Sequence, residues 1–302
     1  STAESRIVAD STDIKAGTGI AYQDTDFSTP EDYFYKYSNV DYGEIDDRVT
    51  YYSSTIGEDK QCGVLLPPRY DTSKKYPVIM YQYSGPGDQQ VRNAFSNGFY
   101  GGLIWEQRLA QKGYIVVCVD GRGTGGRGAD FQKCTYMAMG DKESKDQVET
   151  ALYLVSQPYV DKDRIAIWGW SFGGFNTIMS MSEGRKVFNC GVAVAPVTDW
   201  RFYDSAYTER YMRTPQENPD GYDISPLHRS RNLSGKLLLC HGTADDNVHF
   251  QNTAEYSEVL VQQGTQFDMQ LYTNRNHGIS GGNTRLHLFN RIENFFDSNL
   301  MK

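Results

Sequence analysis

Residues 164–175 read RIAIWGWSFGGF. Five of the six residues before Ser171 are apolar or aromatic, and then the pattern breaks at a serine with Gly169 two before it and Gly173 two after. A packed core gains nothing from a serine at that point. The preceding residues have strand character, and FGGFNTIMSMS, which follows, has helix character. A strand that turns sharply into a helix needs glycine on either side of the bend and leaves the bend residue exposed at the strand's carboxyl end. The spacing therefore predicts that Ser171 is presented as a nucleophile rather than packed. The bland alternative is a serine capping the helix.

Working outward, strand-length apolar runs recur at YPVIMYQY (76–83), GYIVVCVD (113–120), RIAIWGW (164–170), CGVAVAP (190–196), KLLLCHG (236–242) and FDMQLYT (267–273). They are continuous rather than alternating, as in parallel strands buried on both faces. Helix-length segments lie between them, among them GLIWEQRLAQKG, SKDQVETALYLVSQ, QNTAEYSEVLVQQG and NTRLHLFNRIENFFDSNL. Strand alternating with helix predicts an α/β fold, a mostly parallel, doubly wound sheet with helices on both faces. Ahead of it, residues 1–47 read as a partly irregular lead-in, with an acidic, tyrosine-rich surface stretch over 31–47. Residues 48–302 read as the catalytic domain. RVTYYSS, a turn TIGED and KQCGVLLPP predict a hairpin at its start.

The chain has 302 residues, 23% charged and 39% hydrophobic, within the range of globular domains. Its net charge of -8, without a Lys/Arg block, opposes binding to a phosphate backbone, so nucleic acid is not an expected partner. No apolar run is long enough to span a membrane. Cys62, Cys118, Cys134, Cys190 and Cys240 are widely spaced and read as buried small hydrophobes rather than a zinc site. Neither metal nor cofactor is expected. The absence of an apolar leader before Ser1 fits either a removed signal peptide or a fragment of a longer chain.

A serine hydroxyl needs a base. Of five histidines, His228 and His287 sit in polar surroundings, His241 closes an apolar strand as a turn stabiliser, and His249 follows Val248 in a loop. His277, in TNRNHGIS, falls just past the last strand, at the carboxyl edge where α/β sheets gather ligands. It is the candidate base. The acid that orients it should come from CHGTADDNVHF, where Asp245 and Asp246 are both open. An Asx-type turn is the alternative role for either. Oxyanion donors are expected from the Phe172 N–H and from the YSGPG loop, where Tyr83 offers a hydroxyl.

Two further patterns compete. Gly121, Gly123 and Gly126 fit G-x-G-x-x-G after a strand, but no apolar helix opens at the third glycine, so a structural loop is the better reading. Trp200, Tyr203, Tyr207 and Tyr211 fall at i, i+3, i+7 and i+11, one helical face. Spacing alone leaves open whether that stripe is core or an aromatic wall beside Ser171.

The stretches YPVIMYQYSGPG, VDGRGTGGRGADF, GWSFGGF, APVTDWRFYDSAYTERYM, HGTADDNVHFQN and NRNHGI resemble the catalytic domain of the prolyl oligopeptidase family, and within it the dipeptidyl-peptidase branch. The resemblance runs from about Lys75 to the end. It implies the α/β-hydrolase fold and a triad of Ser171, Asp245 and His277, with Tyr83 and the Phe172 amide as oxyanion donors. It implies a proline pocket of Phe172, Val197, Trp200, Tyr203, Tyr207 and Val248, and Asn247 as a contact for the carbonyl before the proline. A peptide with proline at its second position is the implied substrate, a homodimer is an assembly it leaves open, and export is the implied localisation. Two departures stand out. Phe172 replaces a tyrosine of the animal enzymes, and the stretch ahead of Lys75 is too short for the β-propeller that holds the substrate amine in this family. RVTYYSSTIGEDKQCGVLLPPRYDTSKKYP is instead similar to the opening strands of microbial feruloyl and acetyl-xylan esterases. Three functions are therefore weighed: a peptidase cleaving after proline, a carboxylesterase with the same triad, and a catalytically silent binding module.

Overall fold

The computed structural model describes residues 43–54, 56–91 and 102–301. The lead-in read over residues 1–47 thus lies outside the described residues up to position 42. Among the described residues eight strands form one sheet in the order β1-β2-β4-β3-β5-β6-β7-β8. They are β1 (Glu44–Ser53), β2 (Glu58–Leu66), β3 (Tyr76–Tyr81), β4 (Ile115–Cys118), β5 (Val160–Trp170), β6 (Cys190–Val194), β7 (Lys236–Gly242) and β8 (Asp268–Tyr272). The predicted hairpin is β1–β2, antiparallel with Tyr51 opposite Lys60, and β2 runs antiparallel to β4. From β4 through β3, β5, β6 and β7 to β8 every neighbouring pair is parallel.

The continuous apolar runs are explained by what covers each face. Successive strand residues point to opposite sides. Ile79, Ala166, Trp168, Val192 and Leu238 pack with Trp105 and Leu109 of helix Gly102–Gln111 and with Leu288, Ile292 and Phe296 of helix Thr284–Leu300. Their neighbours Val78, Met80, Ile165, Ile167, Leu237 and Leu239 pack on the other side. There they meet Val148 and Leu154 of helix Asp141–Val155, Ile178 of helix Phe172–Met181 and Leu260 of helix Gln251–Gln262. Each fully buried aliphatic side chain in these layers contributes about 1.5–3 kcal/mol.

One strand departs from the expectation of burial on both faces. Among the described residues β8 pairs only with β7, and Met269 and Leu271 are exposed. Of this edge strand only the Tyr272 end is buried. The glycine motif also resolves as structure. The helix after it, Ala129–Lys133, has five residues, and the loop is tied to the Pro86 turn by Gly87 N–H to the Gly123 carbonyl (2.9 Å) and Gly125 N–H to the Asp88 carbonyl (2.8 Å).

The parallel strands all end on one edge, and backbone strain concentrates there. Ser84 after β3, Ser171 after β5, Ala195 after β6 and Ile279 beyond β8 are non-glycine residues with φ between 43° and 67°. Left-handed backbone at side-chain-bearing residues is uncommon, and least expected for a β-branched one. It persists only where surrounding contacts over-determine it.

Candidate active site

Ser171 sits at the bend between β5 and helix Phe172–Met181, with φ 61° and ψ -119°. Its N–H donates to the Val194 carbonyl at 2.8 Å, which ties the bend to the end of β6. The flanking glycines are required by approach distance. A Cβ on Gly169 would lie 2.6 Å from the Gln82 carbonyl oxygen, and one on Gly173 would lie 2.5 Å from the same atom. Gly174 meets the Val194 carbonyl in the same way, at 2.8 Å. The side chain of Ser171 makes no capping hydrogen bond to the helix, so the capping alternative falls away.

The histidine comes from the loop after β8. Trp170 Nε1 donates to the His277 carbonyl at 3.1 Å, linking that loop to the residue before Ser171. The Arg285 guanidinium lies 5.2 Å from the Trp170 ring centroid and donates to the Gly278 and Ile279 carbonyls. The loop that carries His277 is thereby clamped onto β5. Sequence reading missed both Trp170 and Arg285. The tryptophan reads as one more apolar strand residue, and nothing in the spacing of Arg285 distinguishes it from a surface charge.

Between Asp245 and Asp246 the geometry chooses Asp245. It is buried, and His277 Nδ1 donates to its Oδ2 at 2.8 Å. Its Oδ1 accepts from the N–H groups of Asn247 (3.0 Å) and Val248 (2.9 Å), so Asp245 is also the turn-forming residue. The two roles weighed as alternatives coexist on one carboxylate. Burial by itself would raise its pKa. The hydrogen bonds from His241 and His277, with their charge, outweigh burial and hold the carboxyl at about 2. Asp246 is exposed.

His241 is where the structure exceeds the sequence reading. It is fully buried, and its Nε2 lies 3.2 Å from Asp245 Oδ2 and 2.8 Å from the Val248 carbonyl. Read along the chain it closes β7. In space it shares an oxygen with His277.

Tyr83 stands just past β3, its ring 6.1 Å from that of Phe172, and its Cα is 3.2 Å from where a Gly173 Cβ would be. Phe172 is the first residue of its helix, so its N–H has no acceptor within that helix.

The aromatic stripe is not one helical face. Asp199 caps a single turn, Trp200–Phe202, and Asp204 caps a separate helix, Ser205–Met212, by accepting from the Tyr207 N–H at 2.8 Å. Capping by each aspartate breaks the helix the spacing suggested. The residues still converge. Trp200 stacks on Tyr207 (5.9 Å), meets Tyr203 edge-on (5.9 Å) and tilts onto Phe172 (5.6 Å). Trp200, Phe172, Val197 and Val248 are buried, while Tyr203 and Tyr207 are partly exposed at the edge of the same cluster. Core and wall are thus two sides of one cluster. The Tyr203 hydroxyl donates to Asn247 Oδ1 at 2.6 Å, and burial, then neighbouring tyrosines, push the Tyr207 phenol well up. Tyr203, Asp204, Asp246, Asn247 and Arg201 line an open cavity of about 560 Å³.

A sequence model of the prolyl oligopeptidase family matches residues 103–302. A protein of Fusarium vanettenii described as a probable dipeptidyl-aminopeptidase B is 43% identical over 233 residues, covering 76% of this chain and 25% of that one. Its counterpart from Arthroderma gypseum is 47% identical over 217 residues, 70% of this chain and 23% of the relative. The crystal structure of Porphyromonas gingivalis dipeptidyl peptidase 4 superposes with a TM-score of 0.81 at 49% identity, covering 86% of this chain and 36% of that one. The chain spans about a quarter of the length of these curated relatives.

Proposed function

Because the chain belongs to the prolyl oligopeptidase family, we propose that it is a serine peptidase that cleaves after proline through an acyl-enzyme, with Ser171, His277 and Asp245 as its triad. The observation that carries this reading is the 2.8 Å hydrogen bond from His277 Nδ1 to the buried Asp245, on the sheet edge where Ser171 is held at φ 61°.

That bond fixes the imidazole tautomer. With Nδ1 protonated and facing a carboxylate, Nε2 is the basic nitrogen. His277 takes the Ser171 proton as the hydroxyl oxygen attacks the carbonyl carbon of the proline residue. Asp245 stays ionised and stabilises the imidazolium. The oxyanion is held by the Phe172 N–H and the Tyr83 hydroxyl. His277 then returns the proton to the leaving amine as the C–N bond breaks. Water, deprotonated by the same imidazole, releases the acyl group.

The cluster of Trp200, Tyr203, Tyr207, Val197 and Val248 offers an apolar aromatic surface for the pyrrolidine ring. Asn247, whose Oδ1 accepts from Tyr203, has its amide Nδ2–H groups to donate to the carbonyl preceding the proline.

The test is turnover of Gly-Pro-p-nitroanilide by the full chain, with Ser171→Ala as control. Turnover abolished in the variant is expected. A wild-type protein that reacts with a fluorophosphonate yet leaves the anilide intact and cleaves acyl esters would replace this reading with that of an esterase.

A further inference from the structure

We propose that His241 is a positioning residue for the triad, its Nε2–H holding the same Asp245 oxygen that meets His277; this rests on the serine-hydrolase reading above. Asp245 Oδ2 has two histidine neighbours, His277 Nδ1 at 2.8 Å and His241 Nε2 at 3.2 Å. Its Oδ1 has two backbone donors, the N–H groups of Asn247 and Val248. An ionised carboxylate offers about four acceptor sites. Four donors fill them, and the carboxylate can neither rotate nor tilt without breaking one.

The position of the His241 proton follows from its neighbours. Nε2 faces two acceptors, the Val248 carbonyl at 2.8 Å and Asp245 Oδ2. Neither can donate, so Nε2 carries the hydrogen and shares it between them. Nδ1 lies 2.7 Å from Thr253 Oγ1, a hydroxyl that can donate to it. Thr253 belongs to helix Gln251–Gln262, and the Phe250 ring closes edge-on at 5.7 Å. His241 itself lies in β7, opposite Leu271 of β8. One fully buried ring therefore ties the acid to a strand, a helix and the carbonyl of Val248, a residue of the apolar cluster.

The consequence is mechanical. His277 is oriented by Asp245, and a displacement of about 1 Å in such a relay lowers rate by about 100-fold. Removing the His241 donor frees Oδ2 to follow His277 instead of directing it.

The experiment uses the full chain and the rate of fluorophosphonate labelling of Ser171, which needs the triad but not a proline pocket. His241→Leu is expected to lose about 100-fold in that rate and a similar factor in anilide turnover. His241→Gln, whose amide nitrogen reaches the same place, is expected to recover most of it. Nitrogen-15 spectra of the histidine side chains in the unaltered protein, which need no variant to fold, are expected to show the His241 proton on Nε2. His241→Leu that is folded and labels within about threefold of wild type overturns the proposal. So does a proton found on Nδ1, or a Gln variant that is folded and no better than Leu. Wild type that does not label at all overturns the serine-hydrolase reading, and this inference with it.

Discussion

Replacing Asp245 by Asn changes one oxygen to nitrogen and nothing in shape. The four groups around the carboxylate are all donors: the N–H groups of Asn247 and Val248 on Oδ1, and His277 Nδ1 and His241 Nε2 on Oδ2. The backbone donors cannot turn away, so the amide oxygen of Asn must serve them. Its NH2 then faces His277 Nδ1, which can accept only by moving its proton to Nε2. An Nε2–H imidazole cannot take the Ser171 proton. The tautomer error in a triad is worth about 10⁴ in rate, or roughly 5.4 kcal/mol of transition-state stabilisation. The same substitution weakens the fold. Asp245 is held at about 2, against an ordinary carboxylate value of 3.8. A folded-state pKa below the unfolded one gives stability that is fully present above pH about 4 and lost as pH falls toward 2, about 2 kcal/mol here. The assay is the second-order rate of fluorophosphonate labelling at neutral pH, with urea unfolding at the same pH. Loss of about four orders of magnitude with a destabilisation of about 2 kcal/mol is expected. A folded Asp245→Asn protein that labels within tenfold of wild type would refute the tautomer argument.

Two other outcomes follow from the site and its surroundings. With Tyr83 as the proposed oxyanion donor, Tyr83→Phe should lower kcat by about 10²–10³ while leaving KM nearly unchanged, so a loss confined to KM would move Tyr83 from the oxyanion to the substrate pocket. Glu143 is fully buried and pushed by burial up to about 8, and burial pushes Glu106 up to about 7. An acid raised in the fold destabilises it as pH climbs from the unfolded value toward the folded one, by up to about 1.4 kcal/mol per pH unit in that window. Glu143→Gln keeps an acceptor for the Gly140 N–H, which Glu143 now bonds at 2.9 Å. The urea midpoint should therefore fall less between pH 5 and pH 8 in the variant than in wild type, and equal falls would count against a protonated Glu143.

The parts of this protein legible in its sequence are those set by a single chain segment. The strand before Ser171 announces its two-sided burial by having no polar residue from Ile165 to Trp170, and Gly169 and Gly173 announce a bend no Cβ could enter. β8 was not legible in that way. FDMQLYT has the composition of a buried strand, but it forms the end of the sheet among the described residues, and Met269 and Leu271 are exposed there. The aromatic stripe failed for a local reason that was visible. Asp199 and Asp204 are both good helix caps, and each interrupts a spacing that looked continuous.

The choice between Asp245 and Asp246 shows what kind of information a sequence withholds. Adjacent carboxylates have the same chemistry and nearly the same place along the chain. What separates them is that β7 delivers one to the sheet edge beside a loop from β8, and that loop is set by Arg285 and Trp170, 40 and 75 residues away from Asp245 in either direction. His241 was hidden for the opposite reason. It lies four residues from Asp245, close enough to read as part of the same turn, and a turn role was an adequate explanation for it. The structure keeps that role, through the Val248 carbonyl, and adds the second contact to Oδ2. A residue with one sufficient local explanation conceals a second role until every neighbour of the same atom is known. Here the same Nε2 that meets the Val248 carbonyl also meets the carboxylate bonded to His277.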